Sequence, residues 1–229
     1  MIDDLEEMAH EIVMAYFTAN GGASSAQSRP RRVLFYRDGV SDGQFQEVLS
    51  YELPALRRAF SRLGDGSYNP PITYVVAKKR HHTRLFVVNE RDGEGRNFNV
   101  PAGTVVDTGI CHPHENDFFL QSHAGIQGTT RPVHYHVLAD ENKFGTDALQ
   151  NLTFALCHLY CRCTRSVSLV PPVYYAHLAA ARGVVYDKAA SVSGSDTASS
   201  ISGSGGGAVD APTQRIDLSK KMLDRMFFA

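Results

Sequence analysis

The stretch RVLFYRDGVSDGQF, Arg32 to Phe45, constrains the fold more than any other. Val33 to Tyr36 is a short apolar run of β-branched and aromatic residues, the pattern of a buried strand. It ends at Arg37 and Asp38, and a glycine turn follows at Gly39. Ser41 and Gln44 then stand at capping-box spacing. Phe45, Val48, Leu49, Leu53, Leu56, Phe60 and Leu63 recur at helical spacing behind them. A strand that hands over to a helix within a few residues leaves a carboxylate at its end. Asp38 is then either an ordinary turn residue or the ligand or base of an active site.

The same alternation continues along the chain. Residues Asp4 to Ala19 read as a helix with Leu5, Met8, Ile12, Val13 and Phe17 on one stripe. Pro54 removes one backbone hydrogen bond from the helix that starts at Phe45, and is expected to kink or break it. Ile72–Ala77 reads as a second strand and Leu85–Val88 as a third. Val105–Val106, Phe118–Leu120 and Tyr135–Leu138 read as further short strands separated by turn residues. A helix is expected from Thr146 to about Arg165, a break at Pro171-Pro172, and a helix again from Tyr174 to Tyr186. Residues 191–207, SVSGSDTASSISGSGGG, form a Ser/Gly linker, and a short terminal helix is expected within 217–229. No internal repeat is visible. Strands interleaved with helices make the class α/β.

Composition narrows what such a chain can do. The 229 residues suffice for one sizeable core, and a net charge of −1 labels no face of the whole chain, so a nucleic-acid surface has to be a local patch. The four cysteines, Cys111, Cys157, Cys161 and Cys163, do not form a secreted disulfide framework. Residues 1–19 show no signal-peptide pattern and no apolar run is long enough for a membrane span, so an intracellular protein without membrane contact is expected.

Four stretches carry candidate chemistry. KKRHHTR, Lys78 to Arg84, sets four fixed positive charges and two histidines directly after a strand. That density suits phosphate groups, and it equally suits a solvated strand edge protected from pairing. Tyr160 to Arg182 brings Arg162, Arg165 and Arg182 together with Ser166, Ser168, Tyr174 and Tyr175, the residue types that donate to phosphates and sugars; snorkelling arginines at a helix end are the alternative. In SHAGIQGTTRPVHYH, Ser122 to His136, the histidines His134 and His136 share one strand face and could bind a metal or pack as a structural pair; the same alternatives hold for HPHEND at 112–117. Cys157, Cys161 and Cys163 lack a well-spaced fourth ligand for zinc, so buried thiols on a helix are expected. Asp38 and His177 complete the set, and by themselves they are too few to define a two-metal site.

Taken in order, FYRDGVSDGQF, KKRHHTRLF, PAGTVVDTGI, SHAGIQGTTRPVHYHVL, CRCTRSVSLVPPVYYAHLAA and the terminal MFFA closely resemble the PIWI domain of eukaryotic Argonaute proteins. The resemblance runs from residue 1 to about 186 and returns at the C-terminus, leaving out the Ser/Gly linker. It implies an RNase H-like fold with a central mixed sheet flanked by helices, a guide RNA held by its backbone, and a target RNA selected by base pairing. It implies two Mg²⁺ ions in the full-length protein, held by an Asp-Glu-Asp-His set, with Asp38 of YRDG as the second aspartate and His177 of YYAHL as the histidine. Aligned on IDDL, the family's glutamate falls immediately before Met1 and its first aspartate further upstream. The expectation is therefore an N-terminally truncated PIWI domain that does not cleave alone. Matching positions assign guide-RNA contacts to Lys79, Arg80, His82, His123, Tyr160, Arg162, Ser168 and Tyr174, with Arg131 and Arg165 on the same surface and Arg182 reaching toward the guide 5′ phosphate, where Ala229 would also lie. Leu63 and Tyr68, flanked by Arg57, match a pocket for tryptophans of Gly-Trp-rich silencing partners. GDGS at 64–67 and Pro54 depart from the family's pattern beside that pocket.

The leading expectation is RNA-guided silencing in the cytoplasm, with entry into the nucleus left open by the sequence, and Mg²⁺-dependent cutting of guide-paired RNA by the full-length parent. The alternative is a guide-binding Argonaute that does not cut and acts through its partners. A nuclease of the RNase H type unrelated to silencing would explain Asp38, but not the basic and Arg/Ser/Tyr stretches.

Overall fold

In a computed structural model of the chain, residues 1–21, 29–63 and 66–195 are described. The chain divides into two compact units, Met1–Val173 and Tyr174–Ala229. The first contains helices α1 (Leu5–Ala19), α2 (Phe45–Ser61) and α3 (Thr146–Leu156) and strands β1 (Val33–Asp38), β2 (Ile72–Lys78), β3 (Thr104–Val106), β4 (Asn116–Gln121) and β5 (Val133–Asp140). Helix α4 (Pro171–Ser195) carries the described part of the second. Among the described residues, no helix is long and apolar enough to cross a membrane.

The five strands form one mixed sheet in the order β1-β2-β5-β4-β3. β1 and β2 are parallel, and α2 is the crossover that parallel neighbours require. All other pairs are antiparallel. β1, β2 and β4 therefore run the same way and β5 runs against them. Asp38, Lys78 and Gln121 end their strands at the same edge of the sheet at which Val133 begins β5. This shared edge positions the candidate site.

Strand alternation separates two faces. Phe35, Arg37, Tyr74 and Val76 point to the face covered by α1 and α2, where Leu56, Ala59, Phe60, Leu63, Ile72, Tyr74 and Val76 form the main buried cluster. Tyr36 and Tyr135 point to the other face, where the Tyr36 hydroxyl meets the Thr153 hydroxyl of α3 at 2.8 Å. Gln44 Oε1 accepts from the Ser41 backbone N–H at 3.2 Å and from its hydroxyl at 2.9 Å, so the predicted cap stands at the entry to α2 through a short 3₁₀ turn.

Several expectations change. Pro54 does not break α2, which is continuous from Phe45 to Ser61 with Val48, Glu52, Ala55, Leu56, Ala59 and Phe60 buried on both sides of the proline. That burial offsets one lost backbone bond. On α1 the inward row is Leu5, Ala9, Val13 and Phe17, at intervals of four, with Val13 half-buried and the others buried, whereas Met8 and Ile12 are exposed. Leu85–Val88 is not a strand; Phe86 and Val88 face solvent, and among the described residues no strand pairs with the segment. α3 stops at Leu156, so of the three clustered cysteines only Cys157 is buried, while Cys161 and Cys163 lie exposed in the irregular segment beyond the helix. Pro171 and Pro172 open α4 rather than interrupting the chain, because a missing N–H costs nothing in the first turn. α4 extends to Ser195, into the first part of the expected linker. The rest of that linker, the terminal helix at 217–229 and Ala229 lie outside the described residues.

Candidate nucleic-acid interface

The basic run after β2 divides into anchored and exposed members. Lys78 is held by Asp42 at 2.5 Å. His81 donates from Nε2 to the Pro132 carbonyl at 2.9 Å. Arg84 donates to the carbonyls of His81 and Thr83. These bonds hold the segment in place, and Arg80 and His82 stay exposed.

Lys79 is different. Its ammonium donates to the Ser168 hydroxyl, and its backbone carbonyl accepts from Arg131 at 3.4 Å. Burial, and then the charge of Arg131, lower its pKa from the usual lysine range. His123 belongs to the same group: burial first and the Lys79 charge second push its imidazole down to about 4, so it is neutral at physiological pH. Lys79, His123, Arg131 and Ser168 thus converge from four segments on the sheet edge where Asp38 ends β1. Such an edge, at the carboxyl ends of strands, is where open α/β sheets place their ligands.

Bonds that the sequence did not announce hold this convergence together. Gln121 donates to the His123 carbonyl at 2.6 Å, and the Ser122 hydroxyl donates to the Val167 carbonyl at 2.7 Å, tying the loop after β4 to the segment that carries Ser168. The same loop is pinned at its far end by Asn99, which is almost wholly buried. Its amide donates to the Gly128 carbonyl at 2.9 Å, and its Oδ1 accepts from the Thr130 N–H at 2.9 Å. Asn99 carries no motif of its own; its role comes only from the fold.

Tyr160 is half-buried and Arg162 and Arg165 are exposed in the segment between α3 and Ser168. Asp38 is half-buried at the end of β1. Tyr174, His177 and Arg182 lie in the second unit on α4, where Tyr174 and His177 are three residues apart and share a face. The expected partner pocket falls in the packed region of the first unit. Leu63 is 1% exposed. The Tyr68 ring lies against Phe17 and Phe60 with centroids 5.8 Å and 6.2 Å away, and its hydroxyl donates to the Pro30 carbonyl at 2.7 Å. Arg57 is bound to Glu141 and to Asn69 Oδ1.

Comparison with known proteins identifies the family. Residues 1–188 match the Piwi domain. The chain belongs to the Argonaute family, as part of its Piwi domain. It is 51% identical over 228 residues to Protein argonaute 14 of Oryza sativa subsp. japonica, covering 96% of this chain and 21% of that protein. It is 56% identical over 181 residues to Protein argonaute 10 of Arabidopsis thaliana, covering 78% of this chain and 18% of that protein. The chain thus spans about a fifth of the length of these curated relatives. Its fold matches the crystal structure of the C-terminal lobe of a budding yeast Argonaute with a TM-score of 0.84 at 29% identity, over 100% of this chain and 45% of that one. It matches Kluyveromyces polysporus Argonaute with a guide RNA at a TM-score of 0.74 and 32% identity, over 82% of this chain and 22% of that one. The mixed sheet flanked by helices is therefore the Piwi fold.

Proposed function

We propose that this Piwi domain holds a small guide RNA by its phosphates, and that the parent protein cuts target RNA paired to that guide. The observation that supports this most is the convergence of Lys79, His123, Arg131 and Ser168 at the sheet edge that ends in Asp38. Two positive side chains, a neutral imidazole and a hydroxyl suit phosphate oxygens and make no base-reading set. Exposed Arg80, His82, Arg162 and Arg165 extend the basic character, and Tyr160, Tyr174 and Arg182 are assigned to the guide by their family motifs.

Cutting requires a metal in this reading. Asp38 fits: it is an oxygen donor, half-buried at a strand end, of the kind a hard cation such as Mg²⁺ takes. His177 is assigned as a second ligand by its YYAHL motif. When bound, Mg²⁺ would activate water and stabilise the leaving oxygen. Asp38 would hold it from the first unit, and Lys79 and its neighbours would keep the RNA backbone in register. A Gly-Trp-rich partner at Arg57, Leu63 and Tyr68 has a smaller part in this proposal, because an indole would have to enter between side chains already packed together.

The test uses the full-length parent loaded with guide RNA. Asp38→Ala is expected to abolish cleavage of a complementary RNA in Mg²⁺ while guide binding is retained. Equal cleavage by variant and wild type would remove Asp38 from the reaction. Absence of cleavage from wild type as well, with the guide held, would favour silencing through recruited partners.

A further inference from the structure

The histidine pair of β5 lies on the opposite side of the sheet from Asp38. Register fixes this: Asp38 pairs with Ala77, whereas His136 pairs with Val76 and with Asp117, and His134 pairs with Lys78 and with Phe119. Residues paired across strands share a face, so His134, His136 and Asp117 point to the side covered by α2. There, one ligand atom from each of Asp117, His134 and His136 lies within 4.8 Å of the others. His134 Nε2 is 2.6 Å from Asp117 Oδ2, and His136 Nε2 is 2.6 Å from Glu115 Oε2.

The surroundings of this group resemble those of a metal site more than those of two isolated ion pairs. Asp117 is oriented from behind: its Oδ1 accepts from the His112 backbone N–H at 2.8 Å, which leaves Oδ2 directed at His134. Outer hydrogen bonds of this kind hold ligating carboxylates in place. His134 is clamped by a stacked Phe119 ring at 4.2 Å and His136 by Phe45 at 4.6 Å, so neither imidazole is free to swing away. Glu115, half exposed, reaches the cluster through His136. Imidazole is a borderline ligand, and two imidazoles beside one carboxylate favour first-row metals over Mg²⁺ or Ca²⁺. Tetrahedral zinc with metal–ligand distances of about 2.0–2.1 Å sets its ligand atoms about 3.3 Å apart, a spacing between the 2.6 Å contact of His134 with Asp117 and the 4.8 Å that bounds the group.

We propose that Asp117, His134 and His136 bind a divalent transition metal, zinc above all, with Glu115 as the fourth ligand. The site ties the start of β4 to β5 and lies on the face of the sheet opposite Asp38. It is structural: four protein ligands leave no open position for a substrate.

The experiment is a titration of the EDTA-treated full chain with Zn²⁺ by calorimetry and with Co²⁺ by visible absorption. One equivalent of Zn²⁺ is expected to bind saturably, and Co²⁺ is expected to give the intense bands of a tetrahedral site without thiolate charge transfer. His134→Gln and Asp117→Asn are each expected to weaken zinc binding by about 100-fold or more, since loss of an outer partner alone costs about 10–100-fold, and Glu115→Gln, a ligand at the exposed rim, by at least about 10-fold. The double variant Cys161→Ser, Cys163→Ser is expected to bind as wild type. Absence of saturable binding to wild type would overturn the proposal. So would unchanged binding by Asp117→Asn, which keeps the shape of the side chain, or a loss confined to the cysteine variant. Circular dichroism of each variant identifies any that fails to fold, and Glu115→Gln, at the exposed rim, then decides between the outcomes.

Discussion

Arg37 and Glu52 form an ion pair inside the fold, with Arg37 Nε donating to Glu52 Oε2 at 3.0 Å and the Glu52 side chain 1% exposed. Tyr74 donates its hydroxyl to the same oxygen at 2.5 Å, and the Ile2 backbone N–H reaches Oε1 at 3.3 Å. The pair fixes the orientation of β1. With Arg37 held against α2, strand alternation turns its neighbour Asp38 to the other face. A buried carboxylate in the core thus sets the direction of the candidate catalytic one.

Glu52→Ala is expected to destabilise the fold by about 3 kcal/mol, because removing one partner leaves the other charge buried without compensation. Burial alone raises the Glu52 carboxyl, but bonds from Arg37 and Tyr74 outweigh it and hold the group below its ordinary value. The folded state therefore prefers the ionised form. The stabilisation is present above the ordinary glutamate value and lost as pH falls through the lower folded one. Urea unfolding of wild type and variant at neutral and acid pH measures both effects, and the difference between them should shrink in acid.

Lys79→Ala is expected to weaken guide-RNA binding by the parent about equally for all sequences and to lower the salt slope by about one. Arg131→Ala should behave similarly. Filter binding across a salt series checks this. A loss of affinity that varies with RNA sequence would contradict a phosphate contact.

His123 is neutral at pH 7, so His123→Gln is expected to leave the salt slope of RNA binding unchanged. With its folded pKa pushed down to about 4, the unfolded chain binds the proton more readily between there and the ordinary histidine value. Stability from this group consequently rises with pH through that window and is level above it. The variant should lose that part of the pH dependence in thermal unfolding.

Gly125 lies where a Cβ would stand 2.5 Å from the Asn99 amide nitrogen and 2.6 Å from Thr130 Cγ2. Gly125→Ala therefore has to displace the Asn99 anchor or the loop that carries His123. A cost of roughly 1–3 kcal/mol is expected, together with weaker RNA binding. Asn99→Ala, which leaves the Thr130 N–H buried and unpaired, should give a loss of similar size. Denaturant midpoints and binding measured on the same preparations test both.

The sequence by itself determined the class, the order of most elements and the family. Periodicity and capping residues are local properties, and the long motifs from FYRDG to YYAHL need no tertiary contact to be read. It could not decide which residues of those motifs act together. Lys78 and Lys79 are adjacent and chemically alike, yet Asp42 binds one and Ser168 the other. Met8 and Ile12 fit a helical stripe as well as Ala9 does, and only the packing of α1 against α2 leaves them exposed. Leu85–Val88 has strand composition, but among the described residues no strand pairs with it. Above all, the sheet register put Asp38 on one face and the His134–His136 pair with Asp117 on the other. Side-chain direction along a strand alternates residue by residue, so the pairing of distant strands, and no local signal, separates the two sites.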